Sequence, residues 1–136
     1  MKPTTEEILP AIVVIEDDPY MQGVLKHCLR DHFQPILFNN GLDALAHFQA
    51  GNIPDIIISD LNTPRLNGVK FLEQIKSSGF FNDIPVVILS GEDNTDTRIK
   101  CLEIGADDFV LKPFNPRELN ARLKGILKRS NKMIAG

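Results

Sequence analysis

The sequence IIISDLNTP (residues 56–64) joins three isoleucines almost directly to a carboxylate, Asp60, and then breaks the chain at Pro64. An uninterrupted apolar run of this kind is typical of a strand buried on both faces, as in a parallel sheet covered by helices. No residue nearby in the sequence neutralises the charge of Asp60. The stretch therefore predicts a buried strand whose terminal carboxylate is stabilised by groups remote in sequence.

Five short apolar runs occur along the chain, at residues 11–15, 35–38, 55–59, 85–89 and 109–111. Apolar residues with helical spacing fill each interval and follow the last run. This order, a strand and then a helix five times over, predicts an α/β fold. We expect a doubly wound (βα)5 domain with a five-stranded parallel sheet and right-handed crossovers. The flavodoxin-like strand order 2-1-3-4-5 would place the first and third strands side by side.

Residues that start or stop helices mark the helix boundaries. Asp18 is expected to cap the first helix, with Pro19 in its first turn. Asn115 and Pro116 repeat this arrangement at the start of the last helix. We expect the three intervening helices to end at glycines, namely Gly51, Gly79 and Gly105.

Composition and length indicate one globular domain. The 136 residues are 43% hydrophobic and 24% charged, and the net charge of −3 gives no general attraction for nucleic acids or anionic membranes. We predict a domain over residues 10–129, an N-terminal tail over 1–9, and a C-terminal tail or linker start over 130–136. No signal-peptide pattern and no membrane-length apolar run occurs, so we expect a cytoplasmic protein. Cys28 and Cys101 show no pairing pattern and are expected to be free.

Acidic residues follow the two central strands of the predicted sheet. Ligands of doubly wound sheets bind at the carboxyl ends of the strands, where Glu16, Asp17 and Asp60 would converge. Three clustered carboxylates repel one another, and a hard divalent cation such as Mg2+ relieves that repulsion. We expect Asp17 and Asp60 to bind Mg2+ directly, Glu16 to act through water, and the main-chain carbonyl of Asn62 to complete the set.

A hydroxyl and an ammonium group follow the fourth and fifth strands. Ser90 and Lys112 would approach the same site as Asp60. Together with a metal ion they would form a cradle for three phosphoryl oxygens, with Asp60 as the nucleophile that becomes an aspartyl phosphate. Each residue alone has an ordinary structural explanation as a turn residue, a helix cap or a solvated charge. Their coincidence at the ends of successive strands favours a functional site.

Four segments together resemble the receiver domain of two-component response regulators, the CheY-like fold: IVVIEDDPY, IIISDLNTPRLNG, IPVVILSG and GADDFVLKPF. The resemblance covers roughly residues 10–129. It implies that Asp60 is the phosphoacceptor, that Asp17 binds Mg2+, for which Mn2+ can substitute, and that Lys112 binds the phosphoryl group. It also implies a switch made of the Ser90 hydroxyl and the Phe109 ring. The Lys112–Pro113 bond is often cis in such proteins.

The resemblance also implies partners. A sensor histidine kinase or a phosphotransfer protein would donate the phosphoryl group. The face formed by the fourth helix, fifth strand and fifth helix would then control a downstream protein or output domain. Charged residues there resemble those that winged-helix regulators of this family use to form homodimers: Arg98, Asp107, Asp108, Glu118 and Arg122. A solvated, salt-bridged face is the simpler interpretation. The cognate kinase, the output, and whether the receiver stands alone or belongs to a larger regulator stay open.

Two departures from the family pattern are mild. Asn62 and Thr63 replace a common hydrophobic pair, and Ser90 replaces the commoner threonine. The family tunes dephosphorylation at the positions of Asn62 and Glu92, where this chain resembles the chemotaxis regulator. We therefore hypothesise a short phosphoryl lifetime.

Three alternative classes are compatible with parts of the pattern. A haloacid-dehalogenase-like phosphohydrolase shares the chemistry, but it would carry its nucleophile on the first strand with a second aspartate two residues later, where this chain has Asn62. A flavodoxin-like FMN carrier needs a phosphate loop after the first strand, whereas EDDP would repel phosphate. A pseudo-receiver would lack one of the key groups, and none is missing. Turnover of a phosphate ester, a yellow colour, or failure to accept a phosphoryl group would respectively favour these alternatives.

Overall fold

The computed structural model describes residues 8–130 and contains five strands that alternate with five helices. Residues 1–7 and 131–136 of the two predicted tails lie outside this range. None of the helices in residues 8–130 has the length and apolar character needed to cross a membrane. The elements are β1 (Ala11–Ile15), α1 (Pro19–Leu29), β2 (Gln34–Phe38), α2 (Gly41–Gln49), β3 (Ile56–Asp60), α3 (Gly68–Lys76), β4 (Val86–Ser90), α4 (Thr95–Ile104), β5 (Asp108–Leu111) and α5 (Pro116–Ser130).

The sheet has the predicted strand order, β2-β1-β3-β4-β5, and every neighbouring pair is parallel. The register pairs Ile15 of β1 with Ser59 of β3. The next residues on these two strands are Glu16 and Asp60, so the register brings them together at the carboxyl edge of the sheet. The doubly wound α/β fold predicted from the sequence is therefore confirmed.

Alternate residues of the strands face two separate hydrophobic layers. Ile12 and Val14 of β1 pack with the apolar residues of α1 and α5, whereas Val13 and Ile15 pack with residues of α2, α3 and α4. Burial of each such aliphatic side chain stabilises the fold by roughly 1.5–3 kcal/mol. The central strands are buried on both faces, which explains why their sequences are continuous apolar runs rather than alternating ones.

The capping predictions hold at the first and last helices. Asp18 accepts a hydrogen bond from the Met21 N–H at 3.2 Å, and Asn115 accepts one from the Glu118 N–H at 3.0 Å. Each bond satisfies a main-chain donor that has no partner within its helix. The predicted ends of α2 and α4 carry glycines in the left-handed region, Gly51 at φ 101° and Gly105 at φ 131°.

The predicted end of the third helix is wrong. We expected α3 to continue to Gly79, but it ends at Lys76. Ser77 follows as the C-cap, and its hydroxyl donates to the main-chain oxygen of Glu73 at 2.7 Å. A serine that satisfies a terminal carbonyl in this way ends the helix before the glycine is reached.

Both cysteines are free, as predicted. Cys101 is buried and Cys28 is half-buried. Burial raises the pKa of both thiols, which keeps them protonated and unreactive at neutral pH.

Candidate functional site

Three carboxylates cluster at the carboxyl edge of the central strands. Asp60 is the last residue of β3 and is buried, Glu16 follows β1 and is buried, and Asp17 beside it is exposed. One oxygen from each carboxylate lies within 4.8 Å of the others. The strand order thus brings together the three acidic residues that the sequence analysis had selected.

Lys112 supplies the cation that the sequence around Asp60 lacks. Its Nζ atom lies 2.7 Å from Asp60 Oδ1 and 3.4 Å from Glu16 Oε1. The residue follows β5, where its N–H donates to the main-chain oxygen of Ser90 at 2.7 Å. The bond from Lys112 to Pro113 is cis. Asp60 is therefore neutralised by a group remote in sequence.

Burial and charge shift the pKa values of Glu16 and of Lys112 itself. Burial raises the pKa of Glu16, and the nearby charge of Asp60 adds to the rise, which the hydrogen bond from the Asp18 N–H only partly opposes. Burial alone would lower the pKa of Lys112, but the hydrogen bond and charge of Asp60, followed by those of Glu16, outweigh that effect and raise it. Lys112 is therefore cationic at neutral pH. The cluster thus places three carboxyl groups around a single ammonium group.

The neighbouring carboxylates of Glu16 and Asp17 differ in the number of hydrogen bonds that they already accept. Oε2 of Glu16 accepts the Asp18 N–H at 3.0 Å, and Oε1 faces Lys112. The Asp17 carboxylate makes no hydrogen bond within the described residues and faces solvent. An oxygen-only set with one uncommitted carboxylate fits a hard divalent cation that keeps several waters. This difference supports the expectation that Asp17 binds a metal directly and Glu16 through water.

The segment after Asp60 folds back on itself as a closed loop. The Asn62 N–H donates to Asp60 Oδ2 at 3.1 Å, and the Gly68 N–H donates to the main-chain oxygen of Leu61 at 2.8 Å. A Cβ atom at Gly68 would lie 2.8 Å from both the Asp60 main-chain oxygen and the Leu61 Cα. Only glycine permits this approach. Gly68 was not among the site residues predicted from the sequence, although the Asn-Gly pair at a helix start was an available signal.

A strained turn reverses the chain within this loop. Arg65 has φ 70°, and the Leu66 N–H donates to the main-chain oxygen of Pro64 at 2.7 Å, a γ-turn. The buried Thr63 hydroxyl donates to the Leu66 main-chain oxygen at 2.9 Å. These bonds hold Arg65 in a conformation that non-glycine residues rarely adopt. They fix the course of the backbone that carries the Asn62 carbonyl.

The Ser90 hydroxyl is hydrogen-bonded within the turn that follows β4. Ser90 ends β4 and is buried, but its Oγ donates to the Glu92 main-chain oxygen at 3.0 Å and accepts the Glu92 N–H at 3.0 Å. The structure therefore joins Lys112 to Asp60 but leaves Ser90 in the turn that follows its strand. Contact between Ser90 and a group on Asp60 would require this hydroxyl to exchange partners.

Phe109 borders a groove on the face made by α4, β5 and α5. The ring is half-buried against the core layer of α2, α3 and α4. The groove beside it has a volume of about 300 Å³, and its lining includes Arg98, Phe114 and Arg122. The Phe109 ring therefore borders open space on this face of the domain.

Most charges of the predicted dimer face are paired within the chain. Arg122 lies 3.0 Å from Asp108 and 2.9 Å from Glu118, and Arg98 lies 2.9 Å from Asp93. These partly exposed pairs contribute little stability, typically about 0–1 kcal/mol each. Their role in dimerisation stays a prediction.

Asp107 differs from the other four predicted dimer residues because its carboxylate accepts a main-chain hydrogen bond from a core strand. Its Oδ2 accepts the Val86 N–H at 2.8 Å at the start of β4 and lies 3.5 Å from Lys76 Nζ. A partner that recruited Asp107 would have to compete with the hydrogen bond to the strand.

The fold and the acidic site define a receiver domain. The family model described as response regulator receiver domain matches residues 12–124, so this chain belongs to the receiver family of two-component response regulators. One relative is the transcriptional regulatory protein BaeR of Escherichia coli, which is 36% identical over 125 residues that cover 91% of this chain and 50% of BaeR. The chain thus spans about half the length of the curated relatives that it matches.

Solved structures of response regulators have the same fold. The Mn2+-bound form of response regulator Rcp1 has 26% identity and a TM-score of 0.74, covering 88% of this chain and 92% of Rcp1. The phosphorylated cyanobacterial phytochrome response regulator RcpA has 26% identity and a TM-score of 0.76, with the same coverage of each chain.

Proposed function

We propose that this chain is a phosphorylation-dependent signalling switch in which Asp60 accepts a phosphoryl group. The donor is a phosphohistidine of a sensor histidine kinase or phosphotransfer protein, the reaction depends on Mg2+, and we place it in the cytoplasm. The observation that carries the proposal is the 2.7 Å contact of Lys112 Nζ with Asp60 Oδ1 inside a cluster of three carboxylates. The Mn2+-bound Rcp1 and phosphorylated RcpA structures support the proposal by similarity.

The reaction exchanges one bond to phosphorus for another. A carboxylate oxygen of Asp60 attacks phosphorus, the bond from phosphorus to the donor imidazole breaks, and its electron pair returns to the imidazole nitrogen. The product is an acyl phosphate. Negative charge then lies on the phosphoryl oxygens, and the Lys112 ammonium group, which contacts Asp60, is placed to neutralise it. Phosphoryl transfer depends mainly on such positioning and charge neutralisation.

The residues present fit the expected metal. Asp17, Asp60 and the carbonyl of Asn62 would hold Mg2+, or Mn2+ in its place, with Glu16 acting through water. When bound, the ion supplies positive charge that neutralises phosphoryl oxygens. The chain itself contributes the orientation of Asp60, because Lys112 and the Asn62 N–H each hold one of its two oxygens.

Phosphorylation of Asp60 would change the conformations of Ser90 and Phe109. A phosphoryl group on Asp60 offers the Ser90 hydroxyl a charged acceptor in place of the neutral Glu92 carbonyl, which is the stronger hydrogen bond. Phe109 then moves inward from the groove margin, and the face of α4, β5 and α5 changes its affinity for a downstream protein or output domain. The domain modifies only itself, so its role is signalling rather than turnover of a separate substrate.

Phosphoramidate, which carries a phosphorus–nitrogen bond like the donor's, tests the proposed reaction. We expect incubation with Mg2+ to give a base-labile phosphoryl group on the wild type and none on Asp60→Asn. Equal labelling of both proteins would place the acceptor elsewhere. Steady release of phosphate from small phosphate esters would instead support a phosphohydrolase.

We expect Mg2+ to stabilise the folded protein through Asp17. Ligand at 100 times its dissociation constant stabilises a protein by about 2.7 kcal/mol. The melting temperature of the wild type should therefore rise as Mg2+ is titrated, and that of Asp17→Asn should rise far less. The exposed Asp83→Asn on the α3–β4 connection is the matched control and should respond like the wild type. An unchanged response in Asp17→Asn would exclude Asp17 as a ligand.

A short phosphoryl lifetime is part of the proposal and rests on the resemblance at Asn62 and Glu92. Decay of the phosphorylated chain in Mg2+, after removal of the phosphoryl donor, measures it, and a half-life of many hours would contradict it. Homodimerisation through the face of α4, β5 and α5 is also proposed. Light scattering after size-exclusion chromatography, with and without beryllofluoride, tests it, and a monomer in both states would exclude it.

A further inference from the structure

The side chain of Gln22 joins two loops beside the acidic cluster. Gln22 lies in α1, and its Nε2 donates to the main-chain oxygen of Glu16 at 2.5 Å and to Asn39 Oδ1 at 2.7 Å. Glu16 follows β1 and Asn39 follows β2. Both partners are acceptors, so the orientation of the Gln22 amide is fixed by the pair. One half-buried amide thus ties the β1–α1 and β2–α2 loops to the first helix.

The carbonyl that Gln22 binds belongs to the peptide unit between Glu16 and Asp17. Fixing the plane of this peptide restricts the backbone rotation that aims the Asp17 side chain. The Asp17 side chain is exposed, and its carboxylate has no hydrogen-bond partner within residues 8–130, so no hydrogen bond orients it. Its position relative to Asp60 therefore depends on the backbone that Gln22 holds.

We propose that Gln22, held in turn by Asn39, is a positioning residue for the metal ligand Asp17. The inference rests on the proposed Mg2+ site and adds to it two residues that bind no metal themselves. Partners that orient metal ligands from outside the coordination sphere typically contribute about 10–100-fold to metal affinity. Loss of the Gln22 amide should therefore lower the affinity of the site for Mg2+.

Isothermal titration calorimetry with Mg2+ on the full chain tests the inference. We expect Gln22→Met, which keeps length but removes both donors, to raise the dissociation constant for Mg2+ about 10-fold. Asn39→Ala, which removes only the second acceptor, should raise it by a smaller factor. Gln74→Met on the exposed side of α3 is the matched control and should leave it unchanged. Phosphoryl uptake by Gln22→Met should return to the wild-type rate at saturating Mg2+.

A structural role alone predicts a different pattern. Gln22→Met and Asn39→Ala with lower melting temperatures in EDTA but wild-type Mg2+ affinity would overturn the inference and leave the proposed function intact. If Mg2+ affinity falls in the variants but the wild type accepts no phosphoryl group, the inference stands and the phosphoacceptor role fails. A wild type that binds no Mg2+ would overturn both.

Discussion

Replacing Lys112 with methionine is expected to slow phosphoryl uptake from acetyl phosphate about 100-fold at saturating Mg2+. Removal of one preorganised donor from a charge-stabilising site typically costs 10²–10³-fold in rate. Lys112 is the one ammonium group within 4 Å of Asp60 among the described residues, and methionine keeps its length without its charge. A rate within threefold of the wild type would show that Lys112 does not stabilise the transferred group.

The same substitution should destabilise the protein in the absence of metal. Lys112 lies between Asp60 and Glu16, which are both buried, so its loss leaves two carboxylates without a cation. Leaving a buried charge unpaired costs about 3–5 kcal/mol in well-buried cases, and we expect about 2 kcal/mol here because Lys112 is partly exposed. Lys124→Met on the exposed side of α5 is the control and should change little.

The loss of stability in Lys112→Met should shrink as the pH falls from 7 toward 5. Burial and Asp60 already raise the pKa of Glu16, and Lys112 opposes that rise, so removal of the lysine raises the pKa further. The folded variant then binds a proton at a higher pH than the unfolded chain does, and its stability increases as the pH falls through the raised pKa. Urea unfolding in EDTA at pH 7 and pH 5 measures the effect. A difference in unfolding free energy between Lys112→Met and the wild type that is constant or larger at pH 5 would contradict this account.

Introducing a methyl group at Gly68 is expected to destabilise the protein by about 1 kcal/mol net and to impair phosphoryl uptake. The new Cβ would lie 2.8 Å from the Asp60 main-chain oxygen and from the Leu61 Cα, which are backbone atoms that cannot move independently of the site. Overpacking of this kind typically costs about 1–3 kcal/mol, more than the roughly 1 kcal/mol that alanine gains over glycine in a helix. The backbone that carries Asp60 and Asn62 would have to shift.

Gly23→Ala is the matched control for Gly68→Ala, because a Cβ at Gly23 would have no atom within 4 Å. Gly23 lies inside α1, so alanine there should stabilise the protein by roughly 0.5–1 kcal/mol and leave phosphoryl uptake unchanged. Chemical denaturation and acetyl phosphate uptake on both variants give the comparison. If the two variants have the same stability, the close approach at Gly68 is not what requires glycine.

The fold and the acidic cluster were predictable because both follow from long-range rules of parallel sheets. Continuous apolar runs identify strands buried on both faces, and the order of strands and helices allows few topologies. Once β1 and β3 are neighbours, their carboxyl ends must meet, which brings Glu16 to Asp60 before any side-chain detail is known. Lys112 is predictable for a similar reason, because it follows β5 and the carboxyl ends of all parallel strands lie at the same edge of the sheet.

Local hydrogen bonds were less predictable because they depend on the geometry of single turns. Ser90 lies at the expected strand end, yet its hydroxyl bonds the Glu92 backbone, and nothing in the sequence specifies that rotamer. The early end of α3 at Ser77 has a similar origin. Asp107 resembled a surface charge in the sequence, but its carboxylate accepts a hydrogen bond from the Val86 N–H at the start of β4.

The measurement that tests the central proposal most directly is the intact mass of the chain after incubation with acetyl phosphate. We predict a gain of one phosphoryl group on the wild type with Mg2+, no gain in EDTA, and no gain on Asp60→Asn. Circular dichroism of each sample verifies that the protein is folded. A folded wild type that gains no mass with Mg2+ would contradict the proposal and identify the chain as a receiver that binds partners without accepting a phosphoryl group.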